Sequence, residues 1–181
     1  MRACEVGWGM KSNTLVSRCV PAASELRLLH YPQVDAERLA EGGGLKRAWP
    51  HTDFGIITLL FQDKLGGLEC EDRRARGGAG GVFVPIIPND DNEMIVNTSD
   101  TFTRWTNGTV TGGVHQVNVP PSLREKEKGR IPERYSSVFF FKAHRGTSVA
   151  PISHFVTDDK PALYPDITAL EFHKERTRFL Y

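Results

Sequence analysis

The sequence predicts a mainly β protein, built as a β-sandwich or a jelly-roll barrel. Short β-favouring runs recur at about 10-residue spacing, separated by turns rich in Gly, Pro and Asn. Helical patterning is confined to brief stretches and to the C-terminal tail. A chain of 181 residues suits one ordinary domain with a buried core.

The elements follow in order. Residues 1–24 show no clean period and form an uncertain N-terminal segment, ahead of a core spanning 25–181. "ELRLLHYP" predicts a short strand stopped by Pro32. "DAERLAEGGG" reads as one helical turn or a loop, ending in a flexible Gly42-Gly43-Gly44. Ile56 to Phe61 is a near-continuous apolar strand, and "GGLEC" a short strand entered from a turn. "EDRRARGGAGG" is a solvated hairpin loop; with a single such unit, an RNA-binding RGG element is the weaker reading. "GVFVPIIP" and "EMIVN" are two further strands. "SDTFTRWTNG" predicts a helical turn capped by Ser99 and Asp100, closed by a tight Asn107-Gly108 turn. "GGVHQVNV" is a strand with His115 near its middle, "PPSLREKEKGRIPE" a charged loop and "YSSVFFFKA" a strong strand. The tail "PDITALEFHKERTRFLY" predicts an amphipathic helix anchored by Ile167, Leu170, Phe172 and Phe179.

Composition narrows the function. Net charge is +1, which gives no argument for nucleic acid or a membrane surface as partner. No apolar run approaches the ~20 residues needed to span a bilayer, and the first residues lack a signal-peptide core. Cys4, Cys19 and Cys70 are an odd set without a C-x-x-C pair and read as reduced thiols, so a cytoplasmic protein is expected. The sequons at Asn97 and Asn107 are then chance matches.

The chemistry points to "WPHTDFGIITLLFQDKLGG". In a strand, residues i and i+2 face the same way, so His51 and Asp53 would offer an imidazole and a carboxylate to one point. A second imidazole from another strand would complete the 2-His-1-carboxylate arrangement of non-haem Fe(II) oxygenases, which leaves metal positions open. His115 is the candidate third ligand. A lone His-x-Asp is weak: six histidines and the aspartates of this chain give about one chance match in three such chains. His30, His144, His154 and His173 are read as ordinary core or surface residues.

Order and surroundings carry more. "LRLLHYP", "HTDFGIITLLFQDKLGGLEC", "IVNTSDTFTRWTNGTVTGGVHQV" and "RYSSVFFF" occur in the order seen in the 2-oxoglutarate and Fe(II)-dependent dioxygenases of the isopenicillin N synthase-like superfamily, which this chain resembles from about Glu25 to Phe141. The resemblance implies a double-stranded β-helix, a distorted jelly roll, here with a C-terminal helix. It implies that His51, Asp53 and His115 bind Fe(II), and that Arg134 and Ser136 hold the distal carboxylate of 2-oxoglutarate. Tyr31 matches a tyrosine that helps position this cosubstrate. The implied reaction uses O2, oxidises a small organic substrate, usually by hydroxylation, and releases succinate and CO2.

The chain departs from the family pattern in places. Gln116-Val117 stands where Arg-Val usually follows the second histidine, and Ser99-Asp100 where Gly-Asp is usual. Family members are usually longer, with N-terminal helices that only some 24 residues could replace here. The alternatives are a truncated, catalytically impaired member acting as a binding protein, or an O2-using oxidase of the same fold that needs no 2-oxoglutarate.

Overall fold

The computed structural model describes residues 1–39, 44–75, 80–90, 92–124 and 129–178. Parts of the expected loops at Gly42-Gly43, at 76–79 and at 125–128, together with the expected anchor Phe179, lie outside them.

Two four-stranded antiparallel sheets organise the jelly roll. The first has the order β1 (Glu25–Tyr31), β10 (Arg134–Phe141), β4 (Ile57–Gln62), β7 (Ile95–Thr98). The second has the order β3 (Ala48–His51), β8 (His115–Val117), β5 (Leu68–Glu71), β6 (Phe83–Pro85). A short pair, β2 (Val34–Asp35) with β9 (Arg130–Ile131), flanks them. Each expected strand run holds a strand, with ends shifted by up to three residues.

Strand alternation gives the first sheet an unusual pair of faces. Arg134, Ser136 and Val138 of β10 are buried, as are Thr58 and Gln62 of β4. Their neighbours Tyr135, Phe139 and Phe61 point the other way and are exposed. The interior between the sheets is therefore largely polar. The main apolar cluster sits elsewhere: Leu15, Cys19, Ile56, Phe102, Trp105, Ala143 and Ile152 pack together. It joins the N-terminal segment and α3 (Asp100–Trp105) to the chain that follows β10.

The N-terminal segment has an order that periodicity could not reveal. After α1 (Arg2–Gly7), the buried Glu5 carboxylate accepts the backbone N–H groups of Asn13, Leu15 and Val16, and Trp8 packs on the Phe102 and Phe155 rings. α2 (Ala36–Leu39) is the single helical turn expected.

The tail corrects the sequence reading. α4 (Ala169–Thr177) starts at a capping box between Thr168 and Glu171, which leaves Ile167 ahead of the helix. Leu170 is exposed, and among the expected anchors that are described Phe172 alone is buried, with the Arg104 guanidinium 4.9 Å from its ring. Asn107 and Gly108 form the expected turn with positive φ. The Asn107 side chain is buried and bonded to the carbonyls of Phe155, Lys160 and Pro161, so this sequon is closed to glycosylation.

Candidate active site

His51 and His115 face each other across β3 and β8 as a cross-strand pair, at a β-bulge. Their rings lie 4.3 Å apart. Asp53 reaches the same point by another route than expected. β3 ends at His51, so Asp53 lies in a turn, not in a strand, and i, i+2 alternation does not place it.

The start of α3 holds that turn. The N–H groups of Asp100, Thr101 and Ser99 donate to the carbonyls of Asp53, Gly55 and Ile56 at 2.8, 2.9 and 3.0 Å. The Thr101 hydroxyl donates to the Phe54 carbonyl at 2.7 Å, and Thr52 to the Asp100 carboxylate at 2.9 Å. Helix-start N–H groups have no partner within their own helix. Ser99 occupies the cap position without a side-chain cap, because the turn of the HTDFG motif supplies the acceptors. Gly55 is needed there: a Cβ would lie 2.6 Å from the Phe141 carbonyl oxygen of β10.

The three side chains offer donor atoms that all lie within 4.8 Å of one another. His51 Nε2 is 3.9 Å from one Asp53 oxygen, and His115 Nε2 is 3.9 Å from the other. Both rings use Nδ1–H on carbonyls, Trp49 at 2.6 Å for His51 and Gly113 at 3.2 Å for His115. Such bonds fix the tautomer and leave the Nε2 lone pair free. Asn97 donates its amide to the same Gly113 carbonyl at 3.3 Å, and a Cβ on Gly113 would collide with that Asn97 side chain. Burial pushes His115 below the usual imidazole range, against an opposing pull from Asp53, so the ring is held neutral. The Asp53 carboxylate is oriented by the Thr58 hydroxyl, which donates at 2.6 Å. Two imidazoles and a carboxylate, each with a supporting bond, are a donor set suited to Fe(II).

The comparisons with known proteins agree with this geometry. The 2OG-Fe(II) oxygenase superfamily pattern matches residues 23–143. The 2-oxoglutarate-dependent dioxygenase imqE of Aspergillus flavus is 49% identical over 181 residues, all of this chain and 48% of that protein. A full-length Neurospora crassa protein, crystallised in complex with alpha-KG, superposes with a TM-score of 0.84 at 34% identity, over all of this chain and 52% of that one. The chain belongs to the 2OG-Fe(II) oxygenase superfamily.

It spans about half the length of imqE and of the Neurospora protein. A third relative, the Aspergillus flavus peptide transporter imqJ, is 51% identical over 180 residues, which are 35% of that protein. Among the described residues, no helix is long and apolar enough to cross a membrane.

The residues that the resemblance assigns to the keto acid lie in the same interior, further along β4. On β4, Thr58 holds Asp53, and Gln62, four residues on and on the same face, accepts from Arg134 Nη2 at 2.9 Å. That spacing is roughly 13 Å along a strand. Arg134 is 1% exposed. Its Nε donates to the Gly66 carbonyl at 2.9 Å and its Nη1 to the Ser136 hydroxyl at 3.3 Å. Tyr31 pairs with Arg134 across β1 and β10, its ring 5.0 Å from the guanidinium. Three acceptors leave two of the five guanidinium N–H groups for a ligand.

Gln62, Thr58 and Asn97 were missed by sequence reasoning. Thr58 sits in, and Gln62 directly after, the run from Ile56 to Phe61, read only as apolar, with no sign of which face is inward. Asn97, a polar residue inside "EMIVN", was the available signal. Gln116, found where the family usually has arginine, donates to the buried Glu69 at 2.6 Å, and Arg124 supplies the positive charge to the same carboxylate. His173, read as an ordinary histidine, lines a cavity of about 350 Å³ with His51, Asp53, Arg27, Phe140 and Lys142.

Proposed function

We propose that this chain is the metal- and cosubstrate-binding core of an Fe(II)/2-oxoglutarate-dependent dioxygenase that oxidises a small organic substrate. His51, Asp53 and His115 hold the iron, and Arg134, Ser136 and Tyr31 hold the distal carboxylate of 2-oxoglutarate. When bound, the iron and keto acid supply O2 activation, with 2-oxoglutarate leaving as succinate and CO2; hydroxylation of a substrate C–H bond is the outcome proposed. The observation that carries this reading is the convergence of three donor atoms within 4.8 Å, with both histidines bonded through Nδ1.

The remaining work belongs to the protein's own groups. The Trp49 and Gly113 carbonyls hold the two rings by Nδ1, with both Nε2 atoms turned towards Asp53. Thr58 fixes which Asp53 oxygen is left open. Arg134 offers a planar fork in a site nearly closed to water, where a charge-assisted pair with a carboxylate is strong. The cavity beside His51 and Asp53 is the room proposed for substrate, with Phe140 as an apolar wall and Arg27 and Lys142 as cations at its edge.

Anaerobic titration with Fe(II) and then 2-oxoglutarate tests this. The weak visible charge-transfer band of a metal-bound keto acid is expected with the wild-type chain and not with Asp53→Ala. A wild-type chain that takes up Fe(II) but gives no band would favour the oxidase of the same fold.

A further inference from the structure

We propose that Arg47 is a second guanidinium of the keto-acid site, so that the distal carboxylate is held between Arg47 and Arg134. This deepens the function proposed above and rests on it. Sequence motifs gave Arg47 no role.

Arg47 precedes β3, four residues before His51. Its Nη2 donates to the carbonyls of Pro32, at 3.3 Å, and Pro132, at 2.5 Å. Those two prolines flank the keto-acid residues, one directly after Tyr31 and the other two before Arg134. The bonds therefore fix the Arg47 head group beside the β1 and β10 ends that carry Tyr31 and Arg134. Its Nε and Nη1 are buried and have no hydrogen-bond partner among the described residues. Buried guanidinium N–H groups almost always have acceptors, so an unmet set calls for a partner such as water or a ligand atom.

The electrostatics call for an anion. After burial, the strongest influence on Arg47 is the like charge of Arg134, and both lower its tendency to hold a proton. Asp63 and the Tyr31 hydroxyl act on both arginines. Asp63 brings one negative charge to two guanidiniums, and its two oxygens point to the N–H groups of Leu65, at 3.0 Å, and Tyr135, at 2.6 Å, so one positive charge of the pair is left over. Two guanidiniums brought together under burial repel each other unless an anion lies between them. A carboxylate fits: two oxygens with about four acceptor positions can meet the two open N–H groups of Arg134 and those of Arg47. A cavity of about 300 Å³ opens on the Arg47 side, lined also by Tyr31, Pro32, Arg38 and Lys46, with no acidic residue among the described residues of its wall; Arg134 does not line it and lies behind Tyr31, whose ring is 5.0 Å from its guanidinium.

The test uses the whole chain loaded with Mn(II), which binds such sites without turnover, and calorimetric titration with two keto acids. 2-Oxoglutarate carries the distal carboxylate; pyruvate offers the same chelating end without it. Arg47→Gln is expected to weaken 2-oxoglutarate at least tenfold while leaving Mn(II) and pyruvate binding within twofold of wild type. Arg47→Lys keeps the charge but loses the fork, and an intermediate loss is expected. Arg134→Lys serves as reference. Wild-type affinity for 2-oxoglutarate in Arg47→Gln, with the Arg134 variant weakened, would overturn the proposal and leave the function above standing. Equal losses of pyruvate and 2-oxoglutarate would also overturn it, showing that Arg47 merely ties the two proline carbonyls. If the wild-type chain bound Mn(II) but neither keto acid, the proposed function would fail and this inference with it.

Discussion

The two faces of the β1–β10–β4–β7 sheet are opposites. The inner face buries Arg134, Ser136, Gln62 and Thr58. The outer face leaves Leu26 63%, Leu28 79% and Val96 57% exposed, with Phe61 and Phe139 beside them. An ordinary half-buried sheet has the reverse pattern. Burying the polar face is possible because its members bond one another and the facing turns: Arg134 has three acceptors and Asp53 its Thr58. The apolar face, in contrast, has no cover among the described residues, and a contiguous apolar patch of this kind favours association. Hydrogen-bonded polar groups thus occupy the side of the sheet where a core would normally be, and the apolar packing has moved to the cluster around Trp105.

The most severe way to break that division is to remove the carboxylate that the inner face holds through Thr58. Asp53→Ala should lower Fe(II) affinity by more than about 100-fold, beyond the ~10–100-fold typical of groups that only support a ligand. Equilibrium dialysis under nitrogen measures it. Near-wild-type binding would mean that the three converging side chains are not the metal site.

Thr58→Val keeps the shape and deletes the hydroxyl that donates to Asp53. A loss of roughly tenfold in metal affinity is expected, at the low end of the range for supporting partners. Should the loss match that of Asp53→Ala, Thr58 would be more than a positioning residue.

The outer face should respond in the opposite sense. Leu26→Thr together with Leu28→Thr introduces β-branching while removing exposed apolar surface. Exposed positions usually shift stability by no more than about 0.5 kcal/mol each, so the thermal midpoint should hardly move. Light scattering at rising protein concentration should fall, and metal binding should stay unchanged. A midpoint lowered by many degrees would show that these leucines are packed after all.

These contrasts also explain what was legible in the sequence. Strands were readable because β-branched and aromatic runs announce themselves, and His51, Asp53 and His115 because their motifs keep order along the chain. Glu5 was not, since a carboxylate that caps a distant loop has no period. Nor was the true placement of Asp53, which depends on N–H groups of α3 that come 46 residues or more later in the chain. The inward turn of Gln62 was hidden because a run that is apolar on both faces gives no alternation to follow. Ile167 and Leu170 were not the anchors expected, for the same kind of reason: a helix over a polar site rim buries one aromatic, Phe172, and not a stripe.

The smallest effect belongs to the rim, where the inner face meets solvent. Glu25 opens β1 and receives Arg27 Nε at 2.5 Å and Lys142 Nζ at 2.8 Å. Both cations line the cavity beside His51 and Asp53. Arg27 first, and Lys142 second, pull the Glu25 carboxyl from 4.5 down to about 2. A folded-state value below the unfolded one means that the unfolded chain takes up the proton first as pH falls. The stabilising contribution is therefore present above about pH 4.5 and is lost as pH drops towards 2. Its size at neutral pH is small, because the side chain is 37% exposed and water screens the pair. Glu25→Gln should leave the thermal midpoint nearly unchanged at pH 7. Between about pH 4.5 and pH 2 the wild type should lose more of its midpoint than the variant, so that the two curves converge at the acid end. Parallel curves across that window would show that the carboxylate is not held by its two cations, and that the rim behaves like the solvated outer face.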